Sequence, residues 1–175
     1  AGANLTGANL VKADLAGANL TNANLTGANL EKANLRSANL KNANLNKANI
    51  AYGIFVRTKF ANGDLTGLDL SRVHLSSVDL TRVDLTQVDL SNASLPFSNL
   101  TGVDLSNRNL NSINLMFANL AGANLTGSDL SDANLNQTNL SKANLSGAYL
   151  TSNNVIGTKF CRTIMPDRSV NNSGC

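Results

Sequence analysis

One histidine, two cysteines and a series of aspartates are the residues of this chain whose chemistry reaches beyond packing. His74 is the only imidazole, so a cysteine nucleophile would have to bring Cys161 or Cys175 beside it. Asp64, Asp84 and Asp104 recur at intervals of twenty, with Asp69 and Asp89 offset from them. Carboxylates brought together are hard oxygen ligands for a cation such as Ca²⁺. No phosphate-binding loop, zinc-ligand spacing or dinucleotide fingerprint occurs. Which of these groups meet depends on the elements that carry them.

Those elements are set by a repeat. From Leu5 to Phe160 every fifth residue is large and apolar, thirty-two times without a slip, and twenty-seven of these are Leu. The others are Ile50, Phe55, Phe60, Val155 and Phe160. Two residues earlier the side chain is usually small, with sixteen Ala and a Val run at Val73, Val78, Val83 and Val88. Asn or Asp lies between them in twenty-six units, so N-x-S/T strings such as Asn24-Leu25-Thr26 are products of the repeat and not glycosylation signals. A period of five fits neither a 3.6-residue helix nor an alternating strand. In an extended backbone the small residue and the Leu, two apart, point to the same side, and the polar residues point away. No unit buries its Leu alone; stacked coils bury them all.

Composition agrees. Aromatics are 4% and charged residues 14%, yet apolar residues reach 42% and the net charge is only +3, which excludes a disordered chain. No apolar run approaches the roughly 18 residues of a membrane helix, and the basic excess is too small and scattered for a nucleic-acid footprint.

The unit A-(N/D)-L-x-x, as in Ala8-Asn9-Leu10-Val11-Lys12 and Ala23-Asn24-Leu25-Thr26-Gly27, resembles that of the pentapeptide-repeat proteins over residues 1–160. The resemblance implies an all-β fold, a right-handed quadrilateral parallel β-helix with four units per coil and about eight coils in 160 residues. Residues twenty apart are then neighbours on successive rungs. Thr6, Thr26, Asn46, Thr66, Thr86, Ser106, Thr126 and Ser146 form a largely hydroxyl ladder similar to those of ice-binding solenoids, or simply reflect a preference for Ser/Thr after Leu. Asp64, Asp84 and Asp104 stack, either as a cation site or, more simply, as acceptors for corner backbone. His74 falls four rungs from Cys161, about 19 Å along the axis, so no Cys–His dyad forms. The expectation is a protein with no catalytic residues, no metal and no cofactor.

Charge is uneven. Residues 1–62 carry seven Lys/Arg against two acidic groups, and residues 63–160 carry five against eight. On one side Pro96, Phe97, Met116 and Phe117 take outward slots on adjacent rungs, with Ile54 and Val56 further along. Exposed apolar patches mark interaction sites, and the bland alternative is a covering loop or tail. Gly53 beside Phe55 reads as volume compensation. Arg108 falls on an inward slot, where a buried unpaired guanidinium is very costly, so a local bulge is expected.

Residues 161–175 leave the repeat; Pro166 and Asp167 fit a chain folding back as a cap. Cys161 and Cys175 bracket this tail and form a disulfide, or remain free thiols in a reducing compartment. The tail is similar to those of cyanobacterial and chloroplast-lumen members of the family, which implies the periplasm or thylakoid lumen, with the cytoplasm as the alternative. The chain begins inside a repeat without an initiator Met, as if a leader or upstream segment had been removed, and its first coil is a surface for an end-to-end homodimer. The functional expectation is a non-catalytic scaffold binding an unknown protein partner, with no nucleic acid and no membrane span. The alternatives are a DNA-mimicking modulator of an enzyme such as gyrase, which the net charge of +3 disfavours, and an ice-active or structural rod.

Overall fold

Left-handed residues at the corners turn the chain. At most of the described corners the second residue after the apolar centre has a φ near +60°, as at Lys12 (+56°), Lys32 (+58°) and Gly7 (+64°). The turn is closed by a backbone bond such as Ala8 N–H to the Leu5 carbonyl at 3.0 Å. Asparagine and aspartate brace it from outside. The Asn4 Oδ1 accepts the Thr6 N–H at 3.2 Å, and the same bond recurs from Asn24, Asn44, Asp104 and Asn124. This is the Asx turn, which satisfies a corner N–H that would otherwise need water.

The computed structural model describes residues 1–60, 65 and 68–175. Parallel bridges join residues twenty apart, from Asn4–Asn24 to Asn144–Ile164. Since the chain turns every five residues, each coil has four sides. The core is one apolar column: Leu25, Leu30, Leu35 and Leu40 are fully buried, as are Phe55, Leu75, Leu95 and Leu115. Burying each leucine stabilises the fold by roughly 1.5–3 kcal/mol before the ordering of its unit is counted. Polar residues at the small inward slot find carbonyls on the preceding coil. Thr58, Ser98, Thr138, Thr158 and Thr163 donate to Leu35, Leu75, Leu115, Leu135 and Leu140.

The tail continues the ladder before it leaves it. Thr163 is buried at an inward slot, Ile164 bridges Asn144, and Met165 packs on the column, so the coil runs one unit past residue 160. Strand β1 (Thr163–Ile164) then pairs antiparallel with β2 (Val170–Asn171). The Ser173 carbonyl accepts the Phe160 N–H at 2.9 Å, and a disulfide joins Cys161 to Cys175 with Cα atoms 4.6 Å apart. The cap covers only part of the last coil. Phe160 is 9% exposed, but Val155, expected in the column, is 43% exposed, since the tail attaches at Phe160 and Cys161 instead. At the other end Leu5, Leu10 and Leu15 are half-buried, on the face where end-to-end pairing is expected.

Arg108 corrects a second expectation. There is no bulge: Arg108 N–H donates to the Leu105 carbonyl at 3.3 Å and Asp129 N–H to the Arg108 carbonyl at 3.0 Å, in phase with the other coils. The half-buried side chain leaves the core directly, and its Nε donates to the Ser106 carbonyl at 3.3 Å. It enters a concavity of about 320 Å³ that it shares with Gln87, Val88, Asp89, Asn107 and Asn109. Asp84, on the coil before Arg108, takes no part in a ladder bridge.

Candidate interaction site

Phe97 and Phe117 lie on adjacent rungs at the same corner, each in the left-handed conformation (φ +61° and +59°). Glycine or asparagine takes that region readily; a bulky residue there is strained. Their rings nonetheless project outward, 59% and 47% exposed, and stack with centroids 4.9 Å apart and planes 6° from parallel. Pro96 and Met116, one residue earlier on each rung, are half-buried beside them. Among the described residues neither the tail nor a loop covers the pair. The backbone around them is ordinary: Phe97 N–H donates to the Met116 carbonyl and Phe117 N–H to the Asn136 carbonyl, both at 3.0 Å.

The side that leads to this corner departs from the repeat in three successive coils. Ile54, His74 and Ser94 stand where Asn or Asp braces the turn elsewhere, so the corners after them lose that acceptor. The ladder itself persists through them, by Ile54–His74 and His74–Ser94 bridges. Pro96 has no N–H to brace, which removes the need at that corner. Ile54 and Val56 are half-buried on this side, as the sequence places them, and Tyr52 is 45% exposed at the corner before them. Sequence reasoning passed over Tyr52; the signal was its twenty-residue spacing from Lys32 and Arg72. The Lys32 Nζ lies 5.7 Å from the Tyr52 ring centroid, and the Arg72 Nη1 donates to the Tyr52 hydroxyl at 3.4 Å.

The other candidate groups do not converge. His74 is exposed, and Cys161 is held in the disulfide. Among the described residues no three His, Cys, Asp or Glu side chains gather to hold a metal ion. Asp64 and Thr66 lie outside the described residues. Asp84 and Asp104 are exposed and act as corner acceptors. The hydroxyls of Thr6, Thr26, Thr86, Thr126 and Ser146 donate to the adjacent Asn or Asp Oδ1 at 2.6–2.7 Å, so these five donors are engaged within the fold and not held out toward ice.

These bonds shift the carboxylates. The Thr86 hydroxyl and then its N–H lower the pKa of Asp84, and the Ser106 N–H and then its hydroxyl lower that of Asp104. Asp129 and Asp167 are lowered likewise, by Ser131 and Ser169. A folded-state pKa below the unfolded one contributes stability that is present above the unfolded value and lost as pH falls through the folded value. The melting temperature should therefore hold from neutral pH to about pH 5 and fall below about pH 4. Converting Asp84, Asp104, Asp129 and Asp167 to Asn, which accepts the same N–H elsewhere in the repeat, should flatten that fall in thermal melts followed by circular dichroism. An unchanged acid limb would assign acid sensitivity to other groups.

Comparison with known proteins agrees with this geometry. The profile of the pentapeptide repeats matches residues 1–36, 13–50, 54–92, 98–137 and 128–165. The chain is 32% identical to HetL, a pentapeptide repeat protein involved in heterocyst differentiation regulation from the cyanobacterium Nostoc sp. strain PCC 7120. That match covers 97% of this chain and 87% of HetL, with a TM-score of 0.62. A trypsin-treated form of QnrB1, a plasmid-mediated fluoroquinolone resistance protein, superimposes with a TM-score of 0.56 at 20% identity, over 89% of this chain and 80% of QnrB1. A pentapeptide repeat protein of the Arabidopsis thaliana thylakoid lumen is 29% identical over 57% of this chain and 63% of its own, with a TM-score of 0.41. HetL and QnrB1 share a right-handed β-helical fold. No curated protein sequence matches significantly.

Proposed function

Because the chain belongs to the pentapeptide repeat family, with a profile match over most of its length, we propose that it is a non-catalytic interaction module: a right-handed, four-sided rod of about eight coils that presents Phe97 and Phe117 to a protein partner. The observation that supports this reading is the stacked pair itself. Two strained, exposed aromatics on consecutive rungs cost the fold conformational energy and bury little within it. Aromatic residues, phenylalanine among them, are enriched at protein interfaces, where a few buried anchors carry most of the binding energy. HetL is described as involved in regulation, which agrees with a role exercised by binding. DNA mimicry requires a strongly acidic surface, and the likeness to QnrB1, at 20% identity, extends to the fold alone.

Affinity capture from the native source supplies the partner for the test. Phe97→Ser/Phe117→Ser should weaken that partner by about 30-fold or more, the loss of roughly 2 kcal/mol typical of an anchor. Stability should stay within about 1 kcal/mol, since the stack is worth only about that much. Binding that survives in a folded double variant rejects this surface.

A further inference from the structure

We propose that the partner segment is an acidic amphipathic helix lying along the side centred on Ile54, with its apolar end on Phe97 and Phe117; this rests on the reading of that pair as the anchor. Four cations surround the start of this side: Lys32 and Arg72 at one corner, Arg36 and Arg57 at the next, all exposed. Among the described residues the carboxylates near them are Glu31, which pairs with Lys32 at 3.0 Å, and Asp14, one rung before Asn34 on this side, which accepts the Asn34 side-chain N–H at 2.9 Å. Between the two corners Tyr52, Ile54 and Val56 run across the rod as an apolar line. Tyr52 is itself oriented by Lys32 and Arg72. An apolar centre rimmed by arginine and tyrosine matches the composition of protein interfaces. Its charge calls for carboxylates on the partner.

Spacing selects the partner's conformation. Rungs repeat about every 4.8 Å, close to the 5–6 Å between helix residues three or four apart, whereas same-face residues of a strand are spaced by about 6.6 Å. From the rung of Lys32 to that of Phe117 is four steps, about 19 Å, or some 13 residues of helix. Carboxylates near one end of that helix face Arg57 and Arg72, and apolar residues near the other meet the phenyl rings. Single-stranded nucleic acid also uses cations and aromatic rings, but Phe97 and Phe117 stack on each other at 4.9 Å and spend one face each on the pair, which leaves a short platform for successive bases.

The test is selection of a phage-displayed random library of about 15-residue peptides, long enough to span the side as a helix. The baits are the intact protein, Arg57→Glu/Arg72→Glu and Phe97→Ser/Phe117→Ser, each with unchanged circular dichroism. Binders of the intact protein should be enriched in Asp and Glu at helical spacing next to Leu or aromatic residues. Their affinities, read by fluorescence anisotropy, should fall about 30-fold or more on charge reversal, as for close charge pairs across an interface. Binders without acidic enrichment, no binders above background, or affinities indifferent to charge reversal would overturn the inference. In each of those cases, loss of the captured native partner by the phenylalanine variant leaves the anchor reading standing. Peptides sensitive to charge reversal but not to loss of the rings would instead remove the anchor. Tighter binding of a labelled oligothymidylate than of any selected peptide would overturn the proposal in favour of nucleic acid.

Discussion

Replacing Cys161 and Cys175 by serine, or reducing their disulfide, is expected to lower the unfolding free energy by about 3 kcal/mol, the value for a closed loop of roughly 15 residues. The bond closes a tail that does two jobs at the open end of the rod. It supplies the Ser173 carbonyl to the Phe160 N–H, and it folds β2 back on β1, whose Thr163 is buried against the preceding coil. In a stack where each coil contacts only its neighbours, unfolding starts where an end is loosest. Freed from the bond, residues 165–175 remain attached through a two-residue strand pair, Met165, and the Phe160 N–H to Ser173 and Gly147 N–H to Pro166 backbone bonds. Urea unfolding with and without reductant measures the effect. Hydrogen exchange should show the loss concentrated at residues 154–164 before the middle of the rod responds. Equal midpoints under the two conditions would mean that the packing of Thr163 and Met165 holds the cap unaided.

The column of leucines was legible because its signal is local and repeated: a residue that must face inward every fifth position leaves no other phase for the chain. The role of Asn and Asp was legible for the same reason, since an Asx turn joins residues two apart. What the sequence concealed depends on contacts between coils or at their ends. Thr138 looks like a polar intrusion at an inward slot until its hydroxyl is seen to donate to Leu115, twenty-three residues earlier. Val155 fits the period, yet burial requires a neighbour on both sides, and the tail passes over Phe160 instead. Thr163 to Met165 keep the phase of the repeat, but none of the three belongs to its consensus, so the last rung reads as tail.

The aromatic pair became visible only through the twenty-residue spacing that the family resemblance implied. Once Phe97 is placed over Phe117, stacking and exposure follow from the corner they share. The cationic rim needs the same step: Lys32, Tyr52 and Arg72 are remote in the chain, and charge counted along the sequence shows only a basic first third. Arg108 shows the opposite failure. A guanidinium on an inward slot promised a broken coil, but its aliphatic stem is long enough to carry the charge out while the backbone stays in phase.

Gly53 and Phe55 are expected to be energetically coupled more strongly than other neighbours in the column. A Cβ on Gly53 would lie 2.6 Å from Cε2 of Phe55 and 2.9 Å from the Ile50 carbonyl oxygen. Neither the ring, fully buried and 5.6 Å from that of Phe60, nor the backbone has room to yield. Gly53→Ala should therefore destabilise by about 1–3 kcal/mol, the usual cost of overpacking. Phe55→Ala should cost about 3–5 kcal/mol, since it leaves a cavity the size of a ring inside a closed coil. The informative variant carries both Gly53→Ala and Phe55→Leu, which together restore the small-then-leucine order of the neighbouring coils. Its cost should be lower than the sum of the two single changes by about 0.5–3 kcal/mol, the range for residues in direct contact. A double-mutant cycle by urea unfolding measures this difference. Strict additivity would mean that the glycine answers to the backbone at Ile50 and not to the ring, and the compensation read from the sequence would be wrong.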